Sequence, residues 1–372
     1  MGGLIKPFCI KSKNTVEYIE SIIEPQLIFA DRFAENGLAV VKIGGKLSRE
    51  KVYGSRCRTL HLTDIDVDGK YGYINKRGQF AIKPQFDFAY SFADNGLARV
   101  EVGGRCGCIN TKGQFVITPQ FDGASDFASN GLMSVKVGEK WGYVDKAEQY
   151  VIKPQFDFAG RFAENGLAIV KVGGKHGFIN KTGKYVIKPQ FVYAWGFTDK
   201  GLALVEVGGK WGYINKKGQY LIKPQFDEAY SFAENGLAVV KIGRKYGYIN
   251  KKGQYVIAPQ FDGASDFAIN GLTSVKVGKK WGYVDTKGQF VIAPQFDYAY
   301  RFANNDLALV EVDGKYGYIN KKGQFVIKPQ FYFADSFADD ELASVDIDGK
   351  CGYIDKTGQF VIKPQFDEAY PL

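Results

Sequence analysis

The sequence predicts an all-β repeat protein of tandem 35-residue units, each a three-stranded β-meander joined to the next by a short helical-turn linker. Three observations carry this. The Pro of a Pro-Gln-Phe segment falls at Pro84, Pro119, Pro154, Pro189, Pro224, Pro259, Pro294, Pro329 and Pro364, a constant step of 35 residues. A fixed period of that length marks a repeat array. Within each unit the apolar residues follow strand periodicity, and glycines recur where hairpins would turn.

Residues 1–21 lie outside the period, and Asn14–Ile23 reads as a short helix with Val16, Ile19 and Ile23 on one face. The array occupies 22–372 and opens with a partial unit, since Ile22-Ile23-Glu24-Pro25-Gln26-Leu27 matches Leu221 to Phe226. An insertion at about 46–69 separates it from the regular units. In one regular unit, Leu202 to Val207 is a strand and Gly208-Gly209 a two-residue turn. Val207 then pairs with Lys210, Glu206 with Trp211 and Leu204 with Tyr213.

Lys210 to Asn215 is the second strand, rich in aromatic and β-branched residues. Lys216-Lys217-Gly218 suits a hairpin loop with Gly in the left-handed position. Gln219 to Ile222 is the third strand, and Pro224 ends it because it has no N–H to donate. Asp227 is placed to cap a helical turn carrying Ala229, Phe232 and Ala233 at spacings of three and four, stopped by Asn235-Gly236. Asp306 and Glu341 replace that Gly in two units, where looser linkers are expected.

A longer period overlies the first. Phe121–Asp145 and Phe261–Asp285 differ only at Ser129/Ile269, Met133/Thr273 and Glu139/Lys279, an offset of four units. Neighbouring units are therefore interchangeable parts. Three strands fall short of a four-stranded propeller blade. The pattern favours an open, twisted solenoid; a closed β-propeller-like ring is the alternative.

The residues Gly-Lys-Trp-Gly-Tyr, Gly-Gln-Phe-Val-Ile, Pro-Gln-Phe-Asp and Gly-Leu-Ala together resemble the WG repeat family, over roughly residues 22–370. Trp-Gly itself stands at Trp141-Gly142, Trp211-Gly212 and Trp281-Gly282, whereas Cys106 and Cys351 are too small to replace an indole. The resemblance implies a non-catalytic interaction array, usually bacterial, without a shared reaction.

Composition excludes little but points the same way. The net charge of +9 comes from 49 basic and 40 acidic residues spread along the chain, a mild excess that does not by itself make a nucleic-acid binder. Five cysteines, an odd number, are not a disulfide framework. No apolar run is long enough to cross a bilayer and no signal peptide is seen, so a cytoplasmic protein is expected. Asp64 to Gly69 imitates the start of a calcium loop, but Asn75 stands where a bidentate Glu is required. His61 and His176 are the only histidines, and no phosphate-cradling loop or nucleophile elbow occurs. No enzyme, metal site or cofactor is expected.

The candidate binding residues are therefore rows. Trp141, Trp211, Trp281 and Tyr213 read as linker-packing aromatics, or as a ligand-stacking groove. Lys210, Lys245 and Lys280 belong to a basic position that never changes sign, read as paired surface charge or as a ridge for an anionic partner. Arg99, Ser134 and Leu204 occupy a variable strand position expected to be partly wet. Gly142, Gly212 and Gly282 are read as allowing close approach of the next layer. With Pro154, Pro224, Pro294, Gln155, Gln225 and Gln295 they form the structural rows, each Gln bridging backbone groups of adjacent units. The leading functional expectation is a scaffold binding a protein partner. The alternatives are an anion or glycan binder, with nucleic acid or polyanionic glycan as partner, and a purely structural spacer.

Overall fold

The computed structural model describes residues 8–12, 15–19, 27–30, 34, 36–43, 69–75, 77, 79–198, 201–337 and 342–366. They divide into two compact units, Met1–Gly201 and Leu202–Leu372. The predicted Asn14–Ile23 helix is corrected where it is described: Thr15–Ile19 is a strand, antiparallel to Phe8–Ser12, with Ser12 opposite Thr15. The rest of that stretch, and residues Asp64 to Asp68, lie outside the described residues.

Apart from that two-stranded pair, each compact unit is built of antiparallel four-stranded sheets. In the first, Gly123–Ala124, Met133–Val137, Lys140–Val144 and Tyr150–Phe156 form one sheet in that order. In the second, Glu228–Ala229, Ala238–Ile242, Lys245–Ile249 and Tyr255–Phe261 form another. The second and third strands pair as their sequence requires: Leu204 lies opposite Tyr213, Glu206 opposite Trp211 and Val207 opposite Lys210. Gly208 and Gly209 both have positive φ, 59° and 76°, the geometry of a two-residue hairpin turn. In the sheet that contains Leu38–Ile43 and Lys70–Asn75, Ile43 pairs with Lys70 in the same register.

The expected helical turn is instead an additional strand, the first of each four-stranded sheet. Asp227 N–H donates to Lys241 O and Tyr230 N–H to Val239 O, which continues the ladder through the two-residue strand Glu228–Ala229. A tight turn follows, with Ala233 N–H donating to Leu237 O and Gly236 N–H to Ala233 O. Asp306 does not loosen its linker. It adopts the left-handed φ of 63° that Gly takes elsewhere, and its carboxylate accepts from Lys321 Nζ at 2.7 Å and Asn270 Nδ2 at 3.2 Å. Glu341 lies outside the described residues.

The core lies between consecutive sheets. Leu204, Tyr213, Ile222 and Phe226 of one sheet pack with Phe232, Ala238, Val240 and Ile249 of the next. The same set recurs at Tyr143, Ile152, Phe156, Phe162, Ala168, Val170 and Ile179. A second strand so enclosed is covered on both faces. The variable row is mostly covered: Ser134, Leu204, Val239, Ser274, Leu309 and Ser344 are buried, whereas Arg99 and Ile169 are half-buried. The mistaken exposure came from treating the sheet as one-sided.

Candidate interaction surface

The invariant basic residue before the aromatic is held by the recurring Asp that follows Pro-Gln-Phe. Lys210 Nζ lies 2.5 Å from Asp227 Oδ1, and Gly243 N–H donates to Asp227 Oδ2 at 2.7 Å. Lys245 with Asp262 and Lys280 with Asp297 repeat the pair at 2.6 Å. Gly243 lies in the hairpin of the following sheet, so one carboxylate clips two successive sheets together. The lysine hydrogen bond first, then the turn N–H, holds Asp227, Asp262, Asp87, Asp157 and Asp297 below the usual carboxylate range. Where Tyr332 replaces the Asp, Lys315 Nζ sits 2.8 Å from its ring centroid.

The aromatic row divides in two. Tyr213 is fully buried, and its hydroxyl donates to Tyr230 O at 2.7 Å. Trp141, Trp211 and Trp281 are half-buried at the sheet margin. Trp141 lies 5.9 Å from Phe158 and Trp281 lies 5.1 Å from Tyr298, ring centre to ring centre. Arg99 stacks its guanidinium 3.6 Å over Tyr90 and donates to Ala124 O. Each set stays within its own sheet and its neighbour: Trp141, Gly142, Pro154 and Gln155 share one sheet, and the residues around Trp211 and Trp281 share others.

The glycine of Trp-Gly has a physical cause inside its sheet, not in the next layer. A Cβ on Gly212 would stand 2.6 Å from both Ile222 O and Pro224 N. The ladder breaks there, passing from Ile222 opposite Tyr213 to Phe226 opposite Trp211, and the Lys-Pro-Gln segment bulges over the glycine. Gly142 and Gly282 face the same backbone, so Gly and Pro are two halves of one device. Nor does Gln225 bridge units: its Nε2 donates to Lys223 O of its own strand, as Gln155 does to Lys153 O and Gln295 to Ala293 O.

The fourth strand forms one edge of each four-stranded sheet, and sequence reasoning missed what it shows to solvent. Tyr220 and Leu221 are 42% and 49% exposed, and Tyr255-Val256 and Phe290-Val291 repeat them. Lys216, Lys217, Lys223, Lys251 and Lys252, on the same edge strand or the hairpins that lead into these strands, are exposed as well. Among the described residues none of these five makes an ion pair, whereas Lys210, Lys245 and Lys280 of the inner row do, and Lys321, at the repeat position of Lys216 and Lys251, pairs with Asp306. The signal was in the sequence: Tyr-Leu-Ile-Lys-Pro lacks strict alternation and carries Pro, which confines it to an edge.

Among the described residues no group of three His, Cys, Asp or Glu is arranged to hold a metal, and no helix is long and apolar enough to cross a membrane. Cys106, Cys108 and Cys351 are buried free thiols. Burial pushes Cys108 up to about 12, which suppresses thiolate chemistry. Cys106 and Cys351 fill the aromatic position by lying against the acid opposite, with Sγ 3.7 Å from Glu101 Oε1 and 3.9 Å from Asp346 Oδ2.

Comparison with solved structures finds a eukaryotic initiation factor, 12% identical at a TM-score of 0.53, covering 81% of this chain and 94% of that one. That likeness is one of fold alone. Sqt1 of Saccharomyces cerevisiae is 12% identical at a TM-score of 0.35, covering 71% of this chain and 91% of its own. Hsv2p of Kluyveromyces lactis is 12% identical at the same score, covering 51% and 71%. The search of curated proteins returns no match. The model of the WG containing repeat matches at 20–46, 71–106, 107–141, 141–175, 177–211, 211–246, 246–281, 281–316, 316–351 and 352–372, so the chain belongs to the WG containing repeat family.

Proposed function

We propose that this protein is a non-catalytic interaction scaffold that binds a protein partner through the outer edges of its sheets. One observation carries the reading: sheet after sheet presents an exposed apolar pair, Tyr220-Leu221, Tyr255-Val256 and Phe290-Val291, on an edge strand. Recurring exposed apolar groups rimmed by polar ones mark interaction surfaces. The inner Lys and Trp rows suit a ligand less well, because their lysines are ion-paired and their tyrosines buried.

The test is affinity capture from a lysate of the source cell, with the intact chain and with a Leu221→Asp, Val256→Asp, Val291→Asp variant. Recovery of one protein by the first and its loss with the second supports the scaffold. Equal recovery by both, or none by either, refutes it. Far-ultraviolet spectra confirm that the variant is folded.

A further inference from the structure

We infer that the edge strands carry a row of receptors for partner carboxylates, so that the scaffold proposed above takes an acidic protein segment. The warrant is a carboxylate that the chain itself places on one of these edges.

At the hairpin before the fourth strand, every other described unit from Gly113 to Gly358 has a glycine with positive φ. One unit has Glu148, at φ 62°. A side chain at that φ is strained, so its presence calls for a compensating contact. Its side chain crosses to the edge strand of the preceding sheet. Thr118 N–H donates to Glu148 Oε1 at 2.7 Å, and Gln120 Nε2 donates to Glu148 Oε2 at 3.0 Å. The Thr118 hydroxyl adds a third contact at 3.1 Å. The Thr118 N–H first among these, the bonds hold Glu148 below the usual carboxylate range.

Thr118 lies in the break of the ladder, between Ile117 opposite Cys108 and Phe121 opposite Cys106. Its N–H donates there to the carboxylate from the next hairpin.

The same parts recur without the carboxylate. Lys223 occupies the position of Thr118, in the same break between Ile222 and Phe226. Gly253 occupies that of Glu148, and its Cβ would stand 3.1 Å from Ile222, which places the Lys251-Lys252 hairpin beside Lys223. Gln225 occupies that of Gln120. In the first unit, Lys153, Gln155 and Gly183 form an equivalent set, with Gly183 against Ile152 and Lys181 and Lys184 on either side.

This accounts for the exposed Gln155 and Gln225, which bond only their own strand, whereas Gln120 turns to Glu148. Its amide is the group that turns to a carboxylate when one is present. The threonine of the occupied site becomes lysine in these open ones, which adds charge attraction to the N–H and amide donors. Charge-assisted bonds of this kind are short and strong. The apolar pair beside each site, Tyr220-Leu221 or Tyr150-Val151, supplies the neighbouring contact for an alternating acidic and apolar segment.

Binding of fluorescein-labelled poly-L-glutamate to the intact chain at pH 7 tests this by anisotropy. A Gly183→Glu, Gly253→Glu variant supplies its own carboxylates and should weaken binding at least tenfold. A Gln155→Ala, Gln225→Ala variant should weaken it severalfold without strain in the backbone. Reversal of the ion-paired Lys210 and Lys245 to Glu should have a smaller effect than either. Unchanged affinity in both the Glu and the Gln variants overturns the inference. So does binding of oligo-dT or phosphatidylserine vesicles as tight as that of poly-L-glutamate and equally lost, because the edge is then a general polyanion surface. A protein captured through Leu221, Val256 and Val291 but indifferent to these variants would retain the scaffold and discard the receptors.

Discussion

At the scale of single residues, the most demanding contact is the one beneath Pro224. Gly212 has no room for a methyl group, since backbone atoms and not a movable side chain would meet it at 2.6 Å. Gly212→Ala should destabilise the chain by about 2 kcal/mol, the range for overpacking a close-packed site. Tyr213→Phe removes the hydroxyl that satisfies Tyr230 O and should cost about 1 kcal/mol. Urea denaturation of the two variants checks both. An alanine variant as stable as the parent would mean that the bulge relaxes and that the Trp-Gly signature has another cause.

At the scale of elements, strand pairing was legible and strand environment was not. Alternation in Leu202 to Val207 and the Gly-Gly turn fixed the register down to Glu206 opposite Trp211. The two-residue strand Glu228–Ala229 was hidden because two residues carry no period, and Ala229, Phe232 and Ala233 happen to fall at helical spacings. For the candidate surface, the inner lysines were visible by their constant sign, but the clip joins Lys210 to Asp227, 17 positions on, and Asp227 to the N–H of Gly243, 16 further, in the next sheet. The exposed Leu221 and the donors beside it depend on which strand ends the sheet, which local pattern alone does not rank.

The clips predict a pH dependence. Asp227, Asp262 and Asp297 have folded values below the ordinary 3.8, so their contribution is complete above that value and is lost as the pH falls through the lowered ones. Asp335, raised by burial, acts in the opposite direction and lies outside the set. An Asp227→Asn, Asp262→Asn, Asp297→Asn variant keeps an acceptor for the turn N–H but loses the ion pairs. It should have a lower denaturation midpoint than the parent at pH 7, and the gap should narrow by pH 3. A gap that stays constant between those pH values would show that the carboxylate charge is not what joins the sheets.

At the scale of the whole molecule, each core is assembled from two successive sheets, as the set from Leu204 to Ile249 and the set from Val239 to Val284 show. Such an array gains stability unit by unit and neighbour by neighbour. Removing residues 227–296, which are two complete periods, brings Phe226 directly before Asp297. The new neighbours present the same groups as the old ones: Lys210 meets Asp297 instead of Asp227, and Ile222 meets Gly323 instead of Gly253. The shortened chain should therefore fold cooperatively, with an unchanged far-ultraviolet spectrum per residue and a smaller denaturant slope, because that slope follows the surface exposed on unfolding. Removing residues 227–278 instead ends the deletion out of phase and brings Lys210 beside Lys279 and Lys280 without a clip. That chain should be insoluble or lose cooperativity. Equal behaviour of the two deletions would mean that the sheets do not recognise one another through the repeated contacts, and the equivalence of the units would fail with it.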